Sequence, residues 1–367
     1  MKERKKTIQL EPRPERISSA DGDGATTVGI VANYDDSGET RFLLTPEACG
    51  LIGASGLRVM IESGAGAGIS FPDESYAGFG VEITTRDRAM KCDIVVSFAP
   101  LRELDILRMR KGGILLCMMD ATLYEREIVD ALLDHQVTVC CLDNMESFNG
   151  IPVFADIIDE LDGRASIIYA QHSLSLLGGG KGVILAGVAG LNPCEVLVLG
   201  DGNVEIAAAM AALDAGAYVT LMNNDISALQ SARQICGPQL NTVAMHPRVL
   251  FNKVKTADVI LAGTCTRPFE FPLKLRLAMK PNVFFLDFNE THPSVTAPRT
   301  VAMALSNPLV NFFDEMLLKD GFDAMLSTSP GMQRGIITYR GNLVDKPVAS
   351  ALGMPCVDLS IILAGRN

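Results

Sequence analysis

Hydrophobic and polar positions alternate in blocks along most of the chain. Apolar runs of strand length, such as VGIVAN (28–33), LRVMIE (57–62), CDIVVSF (92–98), GGILLCM (112–118) and VTVCCLD (137–143), are separated by stretches with helical periodicity. Strand–helix alternation at this spacing predicts a parallel sheet with helices on both faces. A second series begins at EVLVLG (195–200) and includes YVTLMNN (218–224), ADVILAGT (257–264) and VFFLDFN (283–289). The pattern therefore predicts two α/β units of this kind.

Two long helices are expected to connect these units. The stretch 156–177 has helical periodicity with few breakers and stops at three consecutive glycines (178–180). A second helical stretch begins at Ser306 and would return the chain to the first unit. We therefore predict a substrate-type domain made of residues 28–160 and 308–367, a dinucleotide-binding-type domain over 165–305, and a disordered tail over 1–27.

Composition narrows the class of protein. The 367 residues carry a formal net charge of −11, which argues against a nucleic-acid partner. The mean hydropathy of +0.24 is high, yet no window resembles a membrane span, so we expect a cytoplasmic protein whose apolar surface lies in buried strands and subunit interfaces. Nine cysteines without C-x-x-C spacing are interpreted as reduced core residues, with a redox or metal role as the alternative. The histidines lack metal-ligand spacing.

A glycine motif follows the first strand of the second series. Gly200 would permit a tight turn, and Gly202 would let the backbone approach a pyrophosphate at a helix N-terminus. The third glycine of such motifs is replaced by Glu205, and the acid expected to bind the ribose hydroxyls is replaced by Asn223. We predict a site for NAD or NADP with weak affinity. The alternative is a Rossmann-type domain that no longer binds nucleotide.

Several ordered segments carry a family resemblance, namely ETRFLLTP (39–46), ESGAGAGISFPDESYAGFG (62–80), DELDGRASIIYAQHSL (159–174) and MKPNVFFLDF (279–288). With these segments the chain resembles alanine dehydrogenase and the soluble nucleotide-binding domain of proton-translocating transhydrogenase. The resemblance implies two doubly wound parallel-sheet domains in the α/β class. One would be a Rossmann domain of the NAD type, and the other a discontinuous Rossmann-like substrate domain.

The resemblance also indicates which residues would bind a substrate. Arg41 occupies the position of the family's carboxylate-binding arginine, with a structural ion pair as the alternative role. Ser97 and Ala99 occupy the place of the family's substrate lysine, and neither carries charge. The substrate site therefore departs from the family pattern at a position where charge is needed.

The acid–base positions depart from the family as well. Asp120 stands where the family has its catalytic histidine, although it could equally cap the following helix. Thr291 stands where the family has a second acid–base aspartate, and either neighbour, Glu290 or His292, could substitute for it. His292 could instead be a solvated loop residue. The loop that closes over the family's active site has no counterpart between Pro298 and the helix that follows.

Two functions remain open at this point. One is a non-catalytic homologue with lost or strongly reduced amino-acid dehydrogenase activity, acting as a nucleotide-binding or oligomeric protein. The other is an NAD(P)-dependent oxidoreductase acting on L-alanine, pyruvate or a related 2-oxo acid through a rebuilt site. The resemblance implies a homo-oligomer, a hexamer or a dimer, and the apolar stretch 167–177 agrees with a subunit interface. Its apolar residues could also be covered within one chain.

Overall fold

The computed structural model describes residues 25–118, 125–263 and 271–364, which contain thirteen strands and fifteen α-helices. The strands are β1 (Thr27–Ile30), β2 (Arg58–Glu62), β3 (Glu82–Thr84), β4 (Ile94–Ser97), β5 (Ile114–Cys117), β6 (Thr138–Cys141), β7 (Glu195–Leu199), β8 (Tyr218–Asn223), β9 (Asn241–Ala244), β10 (Val259–Ala262), β11 (Phe284–Asp287), β12 (Ile336–Tyr339) and β13 (Asn342–Leu343). The helices are α1 (Pro46–Ala54), α2 (Asp73–Ala77), α3 (Arg86–Met90), α4 (Glu103–Ile106), α5 (Arg126–Asp134), α6 (Val153–Leu174), α7 (Asn203–Asp214), α8 (Ile226–Cys236), α9 (Pro247–Thr256), α10 (Leu273–Arg276), α11 (Pro298–Leu318), α12 (Phe322–Thr328), α13 (Pro330–Arg334), α14 (Lys346–Leu352) and α15 (Leu359–Ala364).

The strands form two sheets with the same doubly wound order at their centres. The first sheet has the order β13-β12-β6-β5-β4-β1-β2-β3, and its strands from β3 to β6 are all parallel. The second has the order β11-β10-β7-β8-β9 and is parallel throughout. The strand order therefore reverses between β1 and β4 in the first sheet and between β7 and β10 in the second. The predicted fold class, two doubly wound α/β units, is confirmed.

Two antiparallel strands from the C-terminal part of the chain extend the first sheet. β12 pairs with β6, and β13 pairs with β12. α11 brings the chain back from the second sheet, and its buried face packs into the core of the first. The predicted domain boundaries (28–160 with 308–367, and 165–305) remain a prediction. β1 begins at Thr27, within the predicted tail over 1–27, and residues 1–24 lie outside the described part of the chain.

Both long helices differ from their predicted limits. α6 begins at Val153 and ends at Leu174, because Ser175 adopts an extended backbone conformation and a 3₁₀ turn follows. α11 begins at Pro298, so the predicted start at Ser306 is wrong. Proline is well suited to the first turn of a helix, where its missing N–H has no helical partner. Pro308 lies inside α11, whose neighbouring residues Leu305 and Leu309 are fully buried, and this packing outweighs the lost hydrogen bond.

Apolar side chains fill both faces of each sheet, as expected for parallel strands. The prediction that the cysteines are core residues is wrong for Cys356, which is exposed, while five of the eight described cysteines are buried. No helix among the described residues is long and apolar enough to cross a lipid bilayer. Within α6, Ile167 and Leu174 are buried, but Ile168 is 63% exposed, and beyond its end Leu177 is 91% exposed.

Candidate functional site

A cleft of about 780 Å³ lies between the C-terminal edge of the first sheet and the second unit. Phe98, which follows β4, and Met118, which follows β5, line one wall, and Phe288, which follows β11, lines the other. α6 forms part of the wall and contributes aspartates. The remaining lining residues are Glu39, Arg41, Ala99, Pro100, Asp143, Asn144, Ala155, Ile158, Asp159, Asp162, Val204, Asn289 and His292. The crevice at the carboxyl ends of parallel strands is where ligands bind in doubly wound folds, so this cleft is the candidate site.

Arg41 lines the cleft, but its guanidinium is held by a neighbouring carboxylate. Its Nε donates to Glu39 Oε1 at 2.9 Å and its Nη2 donates to Glu39 Oε2 at 2.6 Å, which is a two-point contact. Its Nη1 also lies 3.4 Å from Ser294 Oγ, and the guanidinium stacks over the Phe98 ring at 4.8 Å. Arg41 is only 7% exposed. A substrate carboxylate would therefore have to displace Glu39 to reach this cation.

The positions of the family's substrate lysine are occupied by an internal hydrogen bond. Ser97 ends β4 and is buried, and its Oγ donates to the Ala99 carbonyl at 2.6 Å. Ala99 itself lines the cleft. Among the described residues no lysine and no arginine other than Arg41 lines this space. The cleft carries more carboxylates than cations.

His292 enters the cleft beside a buried aspartate of α6. Its Nδ1 lies 3.1 Å from Asp162 Oδ2, and Asp162 Oδ1 accepts from the Ser294 backbone N–H at 2.8 Å. Asp162 is 4% exposed, while the His292 side chain is about half exposed. A carboxylate on one ring nitrogen fixes the orientation of an imidazole and leaves the other nitrogen available to a ligand. This pair can hold and move a proton in the cleft.

A second aspartate of α6 lies close to this pair. Burial, together with repulsion from Asp156 and Asp162, raises the pKa of Asp159 to about 6, while His292 acts to lower it. The three aspartates recur at every third residue, which places them along one side of a helix. Neither Asp159 nor Asp162 was expected from the motifs, although this spacing was a usable signal. Glu39, two residues before Arg41, was also missed.

The glycine motif forms the expected turn between β7 and α7. Gly200 has a φ of 135°, a conformation that side-chain-bearing residues rarely adopt, and Gly202 immediately precedes the first residue of α7. The backbone N–H of Gly200 bonds the Met222 carbonyl at the end of β8. α7 is twelve residues long, and its first N–H groups point out of its N-terminus. The turn therefore has the geometry that a bound phosphate requires.

Glu205, which replaces the third glycine, points into the protein beneath this turn. Its carboxyl occupies the space that side chains on Gly200 and Gly263 would need. Oε1 lies 2.3 Å from the position of a Cβ on Gly200 and 1.9 Å from that of a Cβ on Gly263. Glu205 is fully buried. Two glycines on neighbouring strand ends thus make room for the carboxyl, which explains how a glutamate fits where helix and strand normally pack closely.

The Glu205 carboxyl has an unfavourable environment for a negative charge. Burial raises its pKa to about 7, and the nearby carboxylates of Asp159 and Asp201 raise it too, while backbone N–H groups of Glu205 and Gly202 oppose the shift. Neither carboxyl oxygen reaches hydrogen-bond geometry with a described group. Near neutral pH the acid and its ionised form are therefore both populated.

Asn223 ends β8, at the position where such folds bind ribose hydroxyls. It is 3% exposed, and its Oδ1 accepts from the Asp225 backbone N–H at 2.7 Å. Its Nδ2 has no hydrogen-bond partner. Throughout the described ranges, the only buried side-chain nitrogen or oxygen atoms without a partner are this Nδ2 and the two oxygens of Glu205. Both residues lie at the carboxyl edge of the second sheet, where a ligand could supply their hydrogen-bond partners.

Some predicted site residues cannot be placed in this arrangement. Asp120 lies outside the described residues, in the segment 119–124. Glu290 and Thr291 follow β11, where their backbone N–H groups bond the Asp287 carbonyl, and neither lines the cleft. Residues 288–297 connect β11 directly to α11, with a 3₁₀ turn over Pro293–Thr296. In the described part of the chain no cluster of three potential metal ligands occurs.

Comparison with known proteins agrees with this architecture. The chain matches the description "Alanine dehydrogenase/PNT, N-terminal domain" over residues 29–156 and "Alanine dehydrogenase/PNT, C-terminal domain" over residues 166–268. It is 26% identical to alanine dehydrogenase from Mycolicibacterium smegmatis, over 92% of this chain and 100% of that protein. It is 27% identical to alanine dehydrogenase from Bacillus subtilis, over 86% of this chain and 92% of that protein.

Solved structures show the same fold. An L-alanine dehydrogenase superposes with a TM-score of 0.79 at 22% identity, over 89% of this chain and 99% of the other. A transhydrogenase from Sinorhizobium meliloti superposes with a TM-score of 0.71 at 16% identity, over 86% and 100%. The two sheets and the glycine turn define a two-domain α/β protein of the dinucleotide-binding type. The chain belongs to the alanine dehydrogenase and pyridine nucleotide transhydrogenase family, as a divergent member.

Proposed function

We propose that this chain is a nucleotide-binding member of the family that has lost, or strongly reduced, L-alanine dehydrogenase activity. The observation that carries the proposal is the two-point contact between Glu39 and Arg41. Oxidation of an amino acid or reduction of a 2-oxo acid requires that the substrate carboxylate be held against the cofactor. Here the one arginine facing the described cleft already binds a carboxylate of the protein. A positioned substrate contributes several kcal/mol to catalysis, about 7–11 kcal/mol in favourable cases, so its loss alone would slow the reaction by orders of magnitude.

The proposed nucleotide would be a nicotinamide dinucleotide, NAD or NADP. The turn at Gly200 and Gly202 would approach its pyrophosphate, and the unpartnered Nδ2 of Asn223 could donate to a ribose oxygen. The residues at this turn fit a dinucleotide except in one respect, because an ionised Glu205 beside the phosphates would oppose binding. When bound, the cofactor would supply or accept a hydride. Weak affinity is therefore expected.

Two measurements test this proposal. Purified protein incubated with NADH or NADPH, pyruvate and ammonium should leave the absorbance of the reduced cofactor unchanged. Titration of NADH followed by fluorescence or calorimetry should show weak binding, and Glu205→Gly should strengthen it. Turnover at a rate comparable to that of an active alanine dehydrogenase would refute the loss of activity. Tight binding by the unaltered chain would refute the weak affinity.

A second function is favoured by the pairing of His292 with Asp162. An oriented imidazole in the cleft is what an acid–base step at an amine or carbonyl carbon needs. On this alternative the chain is an NAD(P)-dependent oxidoreductase with a rebuilt site. A panel of amino acids, amines and 2-oxo acids, assayed with both cofactors, distinguishes the two. Activity that His292→Asn abolishes and Glu290→Gln preserves would support the oxidoreductase.

The chain is also proposed to form a homo-oligomer, a hexamer or a dimer. Beyond the middle of α6 a stretch of apolar residues is exposed: Ile168, Leu176, Leu177, Ile184, Val188 and Leu191 are each more than half exposed. Exposed apolar side chains grouped in this way favour a subunit interface. Light scattering after size-exclusion chromatography should show an oligomer at micromolar concentration, and Leu176→Glu should reduce its mass. A monomer would refute the proposal.

A further inference from the structure

Glu205 is a buried acid whose ionised form would oppose the proposed nucleotide binding. Its two carboxyl oxygens have no hydrogen-bond partner among the described groups, and the side chain is fully buried. It lies directly beneath the Gly200 turn and begins in the first turn of α7, where a phosphate would be attracted. An acid without hydrogen-bond partners at this position affects the affinity for any anionic ligand that the turn binds.

The charged groups around Glu205 all act in the same direction. Asp159 faces it from α6, and Asp201 faces it from the turn itself. Gly263, which follows β10, also packs against the carboxyl and carries no charge. Behind Asp159 lie two more α6 aspartates, Asp156 and Asp162, and His292. No described cation lies against the carboxyl to offset an added negative charge.

A dinucleotide brings two negative charges to this turn. Next to an ionised Glu205 they would meet a carboxylate with no described cation beside it, in surroundings where charges are weakly screened. Next to the neutral acid the repulsion disappears. We infer that the nucleotide groove takes up a dinucleotide together with one proton, which resides on Glu205, so that binding weakens as the pH rises above neutrality. The inference rests on the proposed nucleotide binding and specifies how that site is regulated.

The direction of the pH dependence follows from the free protein. Burial raises the pKa of Glu205 to about 7, so below that pH the acid is already protonated and binding takes up little additional proton. Above it the carboxylate must first be protonated. The apparent dissociation constant should then rise about tenfold for each pH unit, with uptake approaching one proton for each nucleotide bound.

The experiment is calorimetric titration of the full-length protein with NADH at pH 6.5, 7.5 and 8.5. Each pH is measured in two buffers that differ in ionisation enthalpy, because the difference in observed heat gives the number of protons taken up. Glu205→Gln keeps the shape and cannot ionise. Asp214→Asn makes the same charge change at the exposed far end of α7 and is the matched control. Thermal unfolding of each variant verifies that it is folded.

The unaltered protein and Asp214→Asn should lose affinity between pH 7.5 and 8.5 and take up about one proton at the higher pH. Glu205→Gln should bind about thirtyfold more tightly at pH 8.5, with affinity independent of pH and no proton uptake. An equal pH dependence in Glu205→Gln would assign the proton to Asp159 or His292 and overturn the inference. Absence of NADH binding by both proteins at every pH would overturn it too. Alanine dehydrogenase activity would refute the proposed function and leave the proton linkage standing.

Discussion

The two sheets share a strand order, but the polar groups at their carboxyl edges differ in whether they have hydrogen-bond partners. Glu62 ends β2 in the first sheet, as Asn223 ends β8 in the second. Glu62 Oε2 accepts from the Ala32 backbone N–H and from Arg86 Nη1, each at 2.8 Å. Asn223 has an amide nitrogen without a partner, and Glu205, at the same edge of the second sheet, has two such oxygens. At equivalent positions the polar groups therefore have hydrogen-bond partners in the first unit, which we call the closed edge, and lack them in the second, which we call the open edge.

The first edge is completed by side chains of its own unit. Arg86 also donates from Nε and Nη2 to Asp105 Oδ2 at 2.8 and 2.7 Å, and the Tyr34 hydroxyl donates to the same oxygen at 2.6 Å. Burial acts to raise the pKa of Asp105, but these hydrogen bonds hold it below its usual value. A polar network that satisfies itself contributes structure and offers little to a ligand. The comparison teaches that the two edges differ in whether these polar groups have partners, and not in strand order.

The largest expected effect comes from breaking the closed edge. Arg86→Met would leave Glu62 without a cation and Asp105 with Arg108 alone, so the free energy of unfolding should fall by about 3–5 kcal/mol. Nucleotide affinity should be unchanged in the protein that remains folded. Chemical denaturation measures the loss. The control is Arg88→Met, because Arg88 forms an exposed ion pair with Glu82 and should cost less than about 1 kcal/mol. Equal losses in both variants would contradict the distinction.

Removing the Glu205 carboxyl, which has no hydrogen-bond partner, should raise the free energy of unfolding, in contrast to Arg86→Met. The pKa of Glu205 is about 7 in the folded protein against an ordinary 4.5, so the folded state holds a proton that the unfolded chain releases. Stability of the unaltered protein therefore falls as the pH rises from about 4.5 to about 7 and then levels off. Glu205→Gln should be more stable by about 3 kcal/mol at pH 8 and by much less at pH 5. Denaturation curves at both pH values, with Asp214→Asn as reference, decide this.

A cation that is already paired can also be freed by mutation. Glu39→Gln would remove the carboxylate that holds Arg41 and leave a cation facing the cleft. Affinity for pyruvate should then rise by about tenfold, in line with about 1.5 kcal/mol for one charged hydrogen bond. Calorimetric titration with pyruvate measures it. The exposed Glu47→Gln on α1 should leave affinity unchanged. No gain in Glu39→Gln would mean that Arg41 is structural whatever its partner.

The smallest expected effect is a difference of about 1 kcal/mol between two asparagines, Asn33 after β1 and Asn223 at the end of β8. Asn33 donates from Nδ2 to the carbonyls of Glu39 and Arg41, at 3.2 and 2.7 Å, whereas the Nδ2 of Asn223 has no partner. Asn33→Ala should therefore cost about 2 kcal/mol of stability and Asn223→Ala about 1 kcal/mol. Only Asn223→Ala should weaken nucleotide binding. Thermal unfolding and NADH titration together test the pair, and a reversed order of stabilities would contradict the comparison.

Part of the site was visible in the sequence because it is local. The turn at Gly200 and Gly202, the position of Asn223 after its strand, and the replacement of a glycine by Glu205 all follow from spacing within one strand–turn–helix–strand segment. The placement of Arg41 and His292 in one cleft was expected from family resemblance, and the structure brings both to it. Their roles stay predictions. The role of Asp120 also stays a prediction, because that residue lies outside the described part of the chain.

By itself the sequence determined the fold class, the alternation of strands and helices and the family, because hydrophobic periodicity and turn residues act over a few neighbouring positions. Tertiary structure alone decided which polar groups are met. Asp162 and His292 are 130 residues apart, and Gly263 makes room for Glu205 from another strand. Arg41, which pairs with Glu39 two residues away, is also contacted by Ser294 and Phe98 from distant segments. Burial and hydrogen-bond partners depend on which distant segments come into contact, and short-range sequence patterns do not encode those contacts.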